Sequence, residues 1–447
     1  MNKLDEQIEN QMILQINSLI KKNTFNNNEI VIYGTTSNSS YLAFLLKKEE
    51  IRVDAFYSNE KKDKMRGIKV HKIEELQNMD WKENIRILVL SSLYEKALND
   101  LKNTKFFKEK KIIKIRDTSK RKKSKSQKIR YFFSLLHGYR MYKKLKKKYP
   151  ESNILVCPGR SGDTYVAGAF LSEYLIKEQI ENYVLTVIGG ASESVAKLFD
   201  IKQIEKITLH DTTSLINLRR LIGADRFDLK ILHFTMGHSP VSVMNGLISN
   251  PRITLADVYK YAVYMLEEDS LPEKPIKKEN KETVKTLFSN LDLIPKKTVI
   301  LSPYANSYSD DNLSVMWETM AEMLISAGYT VCTNSVGKSE PPIKNTTPIF
   351  FSIEDSISIM EYAGYYIGLR SGLSDIISSA NTKKIIFYRN NWNLGSFKNF
   401  HSLNEMRFCN DAIEIEYDPS SPIFKDSFTT LLFIQKFFLE NSLLDDE

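Results

Sequence analysis

Short apolar runs rich in β-forming residues alternate with helical patterns along almost the whole chain. A first group of runs is Glu29–Tyr33, Val53–Tyr57, Ile68–Val70, Ile85–Leu90 and Ile112–Ile115. A second is Ile154–Cys157, Tyr183–Ile188, Ile207–His210 and Leu229–Phe234. A third is Thr298–Ser302, Tyr329–Thr333, Pro348–Phe351, Tyr366–Leu369 and Lys384–Tyr388. Continuous apolar runs of this length read as strands buried on both faces, and a strand followed by a helix followed by a strand builds a parallel, doubly wound sheet. The expected class is therefore α/β. The expected parts are residues 1–118, a small N-terminal Rossmann-like domain; 119–150, a basic amphipathic linker helix; 151–275 and 276–425, two further Rossmann-like units; and 426–447, a C-terminal helix.

At 447 residues the chain is long enough for two or three domains, and a hydrophobic share of 42% with 26% charged residues is ordinary for a globular protein. No run approaches the roughly 18 apolar residues of a membrane span. Met1 to Lys22 is an acidic and apolar helical pattern, not a basic stretch followed by an apolar core, so no signal peptide is expected. Cys157, Cys332 and Cys409 are few and odd in number, which suits a reducing cytosol. The net charge of +8 is local. Lys120 to Lys148 holds thirteen Lys plus Arg and no acid, which leaves the remainder at about −5 (8 − 13). Within that stretch Ile129, Phe132, Phe133, Leu136, Tyr139, Tyr142 and Leu145 recur at helical spacing. Such a helix can lie on an anionic membrane surface. It can equally serve as an interdomain helix with its apolar face packed and its lysines solvated. No nucleic-acid motif accompanies the charge.

Two strand-to-helix junctions carry candidate chemistry. In the first, the strand Ile154–Cys157 meets Pro158, Gly159 and Gly162, and a helical period begins at Thr164. Free N–H groups at a helix N-terminus suit an anion, and Asp163 stands where a side chain projects into a cleft. The plain alternative is a turn, with Asp163 as N-cap and Gly162 chosen for its backbone angles. In the second, Tyr366–Leu369 runs directly into Arg370-Ser-Gly372 and a helix. The N–H groups of Ser371 and Gly372 can hold a diphosphate, Arg370 can add a bidentate charged contact, and Asp375 can accept from a sugar hydroxyl. Here too the plain alternative is a strand-to-helix turn. His233 and His238 follow the last strand of the middle group, at the carboxyl edge where open sheets bind ligands. Near Gly34 only the first glycine of a dinucleotide fingerprint is present, so the loop after the first strand reads as structural or docking, or as a seat for a small anion. Gly337-Lys-Ser339 lacks the rest of a phosphate-binding Walker loop.

The pair Gly162-Asp163 and the stretch Arg370 to Asp375 resemble family 9 glycosyltransferases, the heptosyltransferase-like enzymes, over about Asn153 to Tyr388. The resemblance implies a GT-B pair of Rossmann-like domains. It makes Asp163 the base that activates the acceptor hydroxyl, with Gly162 beside it. Gly159, Arg160, His233 and His238 are expected on the acceptor side, the plain alternative for each histidine being a satisfied structural residue. It places Arg370, Ser371, Gly372 and Asp375 at the donor, together with the loops that hold Asn306, Ser307, Asn334 and Ser335. It implies a nucleotide sugar as substrate, a surface-glycan or lipid-linked acceptor, and direct displacement with inversion. Three departures stand out: Arg370 replaces the usual Asp, Asp375 replaces His, and no lysine follows Asn306, so the donor need not be ADP-heptose. With no Asp-x-Asp in the sequence, no metal or other cofactor is expected. The chain is expected in the cytoplasm, peripheral at the inner face of the membrane if residues 120–148 bind lipid. The alternative reading is a non-catalytic GT-B subunit that stabilises a partner glycosyltransferase.

Overall fold

In a computed structural model of the chain the alternation is present as three sheets. The structure describes residues 11–59, 63–78, 84–102, 108–115, 125–222, 228–233, 253–278, 280–305, 313–337, 339–390, 397–418, 421 and 427–440. His238, Asn306 and Ser307 lie outside them. Contacts gather the chain into two compact units. The first comprises Met1–Gly159, Phe170–Gly189 and Gln203–Leu271; the second comprises Arg160–Ala169, Gly190–Lys202 and Pro272–Glu447.

The first unit holds two sheets. Strands β1 (Glu29–Tyr33), β2 (Ala55–Tyr57), β3 (Lys64–Met65), β4 (Ile68–His71), β5 (Ile85–Leu90) and β6 (Ile112–Ile115) form one in the order β3-β4-β2-β1-β5-β6. All its pairs are parallel except the β3–β4 hairpin. Its central strands are almost wholly apolar: Val31, Ile87 and Leu88 are fully buried, as expected where helices cover both faces. The loop after β1 is occupied by its own chain. Gly34 has φ +90°, a Cβ there would lie 2.5 Å from Leu93, and Thr35 Oγ1 donates to Ser58 Oγ at 2.9 Å. The helix Ser37–Lys48 then docks on the segment Tyr259–Val263, where Ser40 Oγ donates to the Tyr261 carbonyl at 3.1 Å and Phe44 stacks on Tyr261. Of the readings open for this loop, the geometry favours docking.

The second sheet of this unit has strands β7 (Asn153–Val156), β8 (Tyr183–Ile188), β9 (Ile204–Ile207) and β10 (Leu229–Ile231), all parallel in the order β10-β7-β8-β9. The expected strand Ile207–His210 starts and ends earlier. Thr208 and Asp211 cap each other reciprocally, each side chain accepting the other's backbone N–H at 3.0–3.1 Å, and this box starts a helix at Leu209. Two helices cover one face: α1 (Lys125–Lys148) packs against α3 (Leu209–Ile222); α2 (Ser161–Gly168) follows β7 in the chain. The α1–α3 contact uses small residues. A Cβ on Gly138 would fall 2.3 Å from the Ser214 carbonyl, Ser134 and Ser214 hydroxyls meet at 3.1 Å, and Met141 and Leu145 enter the core beside Leu215 and Leu218. Burial of a Leu145-sized side chain contributes about 1.5–3 kcal/mol. Packing on the Ser134–Gly138–Met141–Leu145 face turns the aromatic stripe outward. Ile129, Phe132, Phe133, Leu136 and Tyr139 are 41–63% exposed. The helix is thus an integral part of the first unit, with an uncovered apolar stripe.

The second unit holds β11 (Thr298–Ser302), β12 (Thr330–Asn334), β13 (Thr347–Ile349), β14 (Gly364–Leu369), β15 (Lys383–Arg389) and β16 (Ile413–Tyr417), all parallel in the order β13-β12-β11-β14-β15-β16. This is the doubly wound dinucleotide-fold order, whose direction reverses between β11 and β14. Its core joins Val299, Leu301, Trp317, Leu324, Ile367 and Phe387 to Ile434 and Phe438 of the C-terminal helix Ser427–Glu440. No described helix is long and apolar enough to cross a membrane.

Candidate functional site

In an open parallel sheet the strand order reverses where two adjacent loops part to opposite faces, and a crevice opens there at the carboxyl ends. In the second unit that place is the end of β14, beside Ser302 at the end of β11. Arg370, Ser371 and helix α4 (Gly372–Ile376) occupy it. Ser371 begins the helix, and its N–H, expected at a diphosphate, is instead engaged within the loop, donating to Ser374 Oγ at 2.9 Å. The helix is five residues long and runs on into a 3₁₀ turn, Ile377–Ser379.

Helix α2 is packed against α4. The approach is so close that both N-terminal glycines are required. A Cβ on Gly372 would sit 2.5 Å from Ser161 Oγ and 3.0 Å from the Gly162 nitrogen; one on Gly162 would sit 2.9 Å from Asp375 Oδ2. Further along α2, the buried Tyr165 meets Ser378 through their hydroxyls at 3.2 Å and packs edge-on against Phe199 and Phe408. These contacts explain why α2 belongs to the second unit. Arg160 is its N-cap, and Asp163 Oδ2 accepts the Arg160 N–H at 3.2 Å. Asp163 therefore stands in the first turn rather than at the cap, and it is half-buried.

Arg370 is turned inward. Its side chain is 5% exposed and that of Asp375 3%. Nη1 donates to Asp375 Oδ2 at 3.0 Å, Nη2 to Oδ1 at 2.5 Å, Nη1 also to the Ser371 carbonyl at 2.7 Å, and Nε to the His401 carbonyl at 2.9 Å. Contact with a diphosphate or a sugar hydroxyl was the sequence expectation for these two side chains; in this structure each is engaged by the other. Burial pushes the Asp375 carboxyl up to about 6; Arg370 opposes that rise and the nearby Asp163 charge adds to it.

His401 is a further member that sequence reasoning missed. It ends helix α5 (Phe397–His401), is half-buried, and stacks on Phe397 with ring centroids 4.4 Å apart. Burial and the Arg370 charge lower its pKa to about 3, against the pull of Asp163, so the imidazole is neutral. The segment is anchored by Glu414, which accepts from Tyr388 at 2.7 Å, Ser402 at 2.6 Å and the Leu403 N–H at 2.7 Å. Beneath the loop, the buried Tyr366 hydroxyl and Ser371 Oγ have no hydrogen-bond partner of normal geometry. Burial raises the Tyr366 phenol to about 12, so it stays protonated and can donate.

The second unit thus brings together Arg160, Gly162, Asp163, Arg370, Ser371, Gly372 and Asp375. Asn334 and Ser335 close β12, on the other side of β11 from β14. Ser335 shapes its own loop, its hydroxyl donating to the Glu340 carbonyl at 2.5 Å. Gly159 and His233 belong to the first unit, at the ends of the neighbouring strands β7 and β10. His233 is 8% exposed and sits edge-on to Tyr259. What the arrangement brings close together is a carboxylate, a neutral imidazole and two helix N-termini, with the Ser371 and Arg160 N–H groups already taken by Ser374 Oγ and Asp163 Oδ2.

No protein-family model matches the chain, and no curated protein does. Among solved structures it is similar to the Escherichia coli ADP-heptose LPS heptosyltransferase II, at 12% identity and a TM-score of 0.43, over 65% of this chain and 99% of that one. It is similar to a family 9 glycosyltransferase of Veillonella parvula, at 13% identity and 0.41, over 66% and 91%. A UDP-GlcNAc 2-epimerase of Methanocaldococcus jannaschii aligns over 92% and 99%, at 10% identity and 0.28.

Proposed function

We propose that the protein is a metal-independent inverting glycosyltransferase that moves a sugar from a nucleotide sugar to a surface-glycan or lipid-linked acceptor. The observation that supports this most is the meeting of Asp163 and the Arg370–Gly372 loop at the switch point of one doubly wound sheet. Asp163 takes the proton of the acceptor hydroxyl as that oxygen attacks the anomeric carbon from the face opposite the diphosphate. The bond from that carbon to the diphosphate breaks, and the leaving charge falls to the backbone N–H groups opening α4 from Gly372 on. Arg370 positions this loop through Asp375 and the Ser371 and His401 carbonyls. Metal independence rests on the lack of an Asp-x-Asp in the sequence.

A panel of nucleoside diphosphates tests the donor side by thermal shift, with and without EDTA. One member should raise the melting temperature equally in both, since a ligand that binds only the native state stabilises it. No shift from any member at millimolar concentration overturns the reading. The alternative, a non-catalytic subunit, draws support from the full engagement of Arg370. It predicts diphosphate binding without release of nucleoside diphosphate from any nucleotide sugar.

The stripe Ile129, Phe132, Phe133, Leu136 and Tyr139, flanked by the exposed Arg130, Arg140, Lys143 and Lys147, supports a peripheral position on an anionic membrane surface.

A further inference from the structure

The first unit holds a cavity of about 650 Å³, within the size range of small-molecule sites. Its walls are α1, the ends of β8 and β9, and the start of α3. Met141, Ile188 and Ile207 give it an apolar floor, and Arg140, Lys144, Lys206 and His137 contribute cations or a titratable ring. Two carboxylates also line it, and both are taken up by the protein. Glu205 accepts from Lys148 Nζ at 2.6 Å and from the Tyr149 hydroxyl at 3.0 Å. Asp211 accepts from the Thr208 N–H at 3.0 Å, the Thr208 hydroxyl at 2.7 Å and His137 Nε2 at 2.7 Å. Burial would push both carboxyls up, but these hydrogen bonds hold them below their ordinary values, so each remains an occupied anion. Lys148, whose charge answers that of Glu205, stands outside the lining. Three cations against two carboxylates line the cavity, and Lys144 is near enough to Glu205 to help lower its pKa. Arg140 and Lys144 lie one helical turn apart on α1, so both reach the same ligand.

We infer that this cavity is a binding site for a phosphate- or diphosphate-bearing small molecule, held by Arg140 and Lys144. Guanidinium and ammonium groups together recognise phosphate oxygens, and the volume exceeds that of a lone phosphate, so the ligand carries a further group over the apolar floor. None of the residues assigned to the proposed reaction lines this cavity. Two sources share the chemistry: a lipid whose phosphate headgroup enters from the surface on which α1 lies, and a soluble phosphate ester.

The test uses the full chain and its Arg140→Gln/Lys144→Gln variant, both exposed positions. Calorimetric titration with inorganic pyrophosphate should show a saturable site in the parent that weakens at least about tenfold in the variant, the scale of one lost charged hydrogen bond. If the crevice of the second unit also takes pyrophosphate, the parent shows two sites and the variant retains one. Flotation with phosphatidylcholine vesicles containing phosphatidic acid, against vesicles charge-matched with phosphatidylserine, separates the sources. A preference for phosphatidic acid lost in the variant assigns the headgroup; pyrophosphate binding without that preference assigns the soluble ester. Equal pyrophosphate binding by both proteins, or no saturable binding by the parent, overturns the inference.

Discussion

Removing the Arg370 guanidinium should destabilise the second unit by an amount that depends on pH. In Arg370→Ala the Asp375 carboxylate, 3% exposed, loses both bonds of its pair, and the Ser371 and His401 carbonyls lose their donors. Unpairing a buried ion costs about 3–5 kcal/mol. Protonation offers an escape, because at pH 7 neutralising a carboxyl with a pKa of about 6 costs only about 1.4 kcal/mol, and removal of Arg370 makes it easier still. The expected loss is therefore about 3 kcal/mol at pH 8, and less at pH 5. Asp375→Leu alone should destabilise similarly by leaving the guanidinium buried. Arg370→Met with Asp375→Leu should cost less than the sum of the singles by about 1–3 kcal/mol. Because a chain of several sheets need not unfold in one step, the measurement is native-state hydrogen exchange of peptides from Gly364–Arg389, which reads this unit alone. Single variants whose losses simply add, or an Arg370→Ala loss below about 0.5 kcal/mol, would refute the pairing as the device that holds the loop.

Asp163→Asn keeps the acceptor for the Arg160 N–H but not the base, so turnover should fall by about 10²-fold or more with donor affinity little changed; turnover near that of the parent would sink the assignment. Gly372→Ala would place a methyl 2.5 Å from Ser161 Oγ, and should destabilise the second unit by about 1–3 kcal/mol, with partial recovery in Ser161→Gly/Gly372→Ala, read by the same exchange experiment. Acidification should act on two groups with opposite sign. The lowered His401 pKa gives stability that is present above its ordinary 6.5 and lost as pH falls towards 3, so His401→Gln should lose less stability on acidification than the parent. The raised Asp375 pKa gives stability that is present below 3.8 and lost as pH rises through about 6, so Asp375→Asn should remove that gain at low pH; paired urea titrations at pH 4.5 and 7.5 decide both. The protein should sediment with anionic vesicles at low salt and release as salt rises, and Phe132→Ser/Phe133→Ser should weaken this without changing the fold, since both rings are more than half exposed.

Strand positions in the second unit were legible because its runs are apolar throughout: Thr298–Ser302 and Lys384–Tyr388 lie on or within observed strands. The misses were short or charged. β3 has two residues, and β16 reads Ile-Glu-Ile-Glu-Tyr, two of its five residues acidic. At the site, the glycines and Asp163 stood out because they mark a strand-to-helix junction, a place where open sheets bind ligands. The Arg370–Asp375 pair did not, because its five-residue spacing is no regular helical neighbour; it forms only as the chain bends from strand into helix. His401 follows two phenylalanines in a segment with no motif, and its role rests on a backbone carbonyl and a burial that no spacing encodes. On α1 the whole apolar stripe was visible, but which side would be covered depended on the small residues Ser134 and Gly138, whose value lies in closeness to α3.

The socket around Tyr165 has a consequence for recombination between relatives. A fragment beginning at Pro272 has the six-stranded sheet but not residues 160–169, and so leaves open the space that Tyr165 fills against Ser378 and Phe408. Exchange of everything beyond residue 271 would pair a foreign α4 with this α2. Unless the donor chain also carried glycine opposite Ser161, its Cβ would collide with the N-terminus of α2. The heritable module is thus discontinuous: a hybrid inherits this packing only when the short helix after β7 travels with the C-terminal sheet.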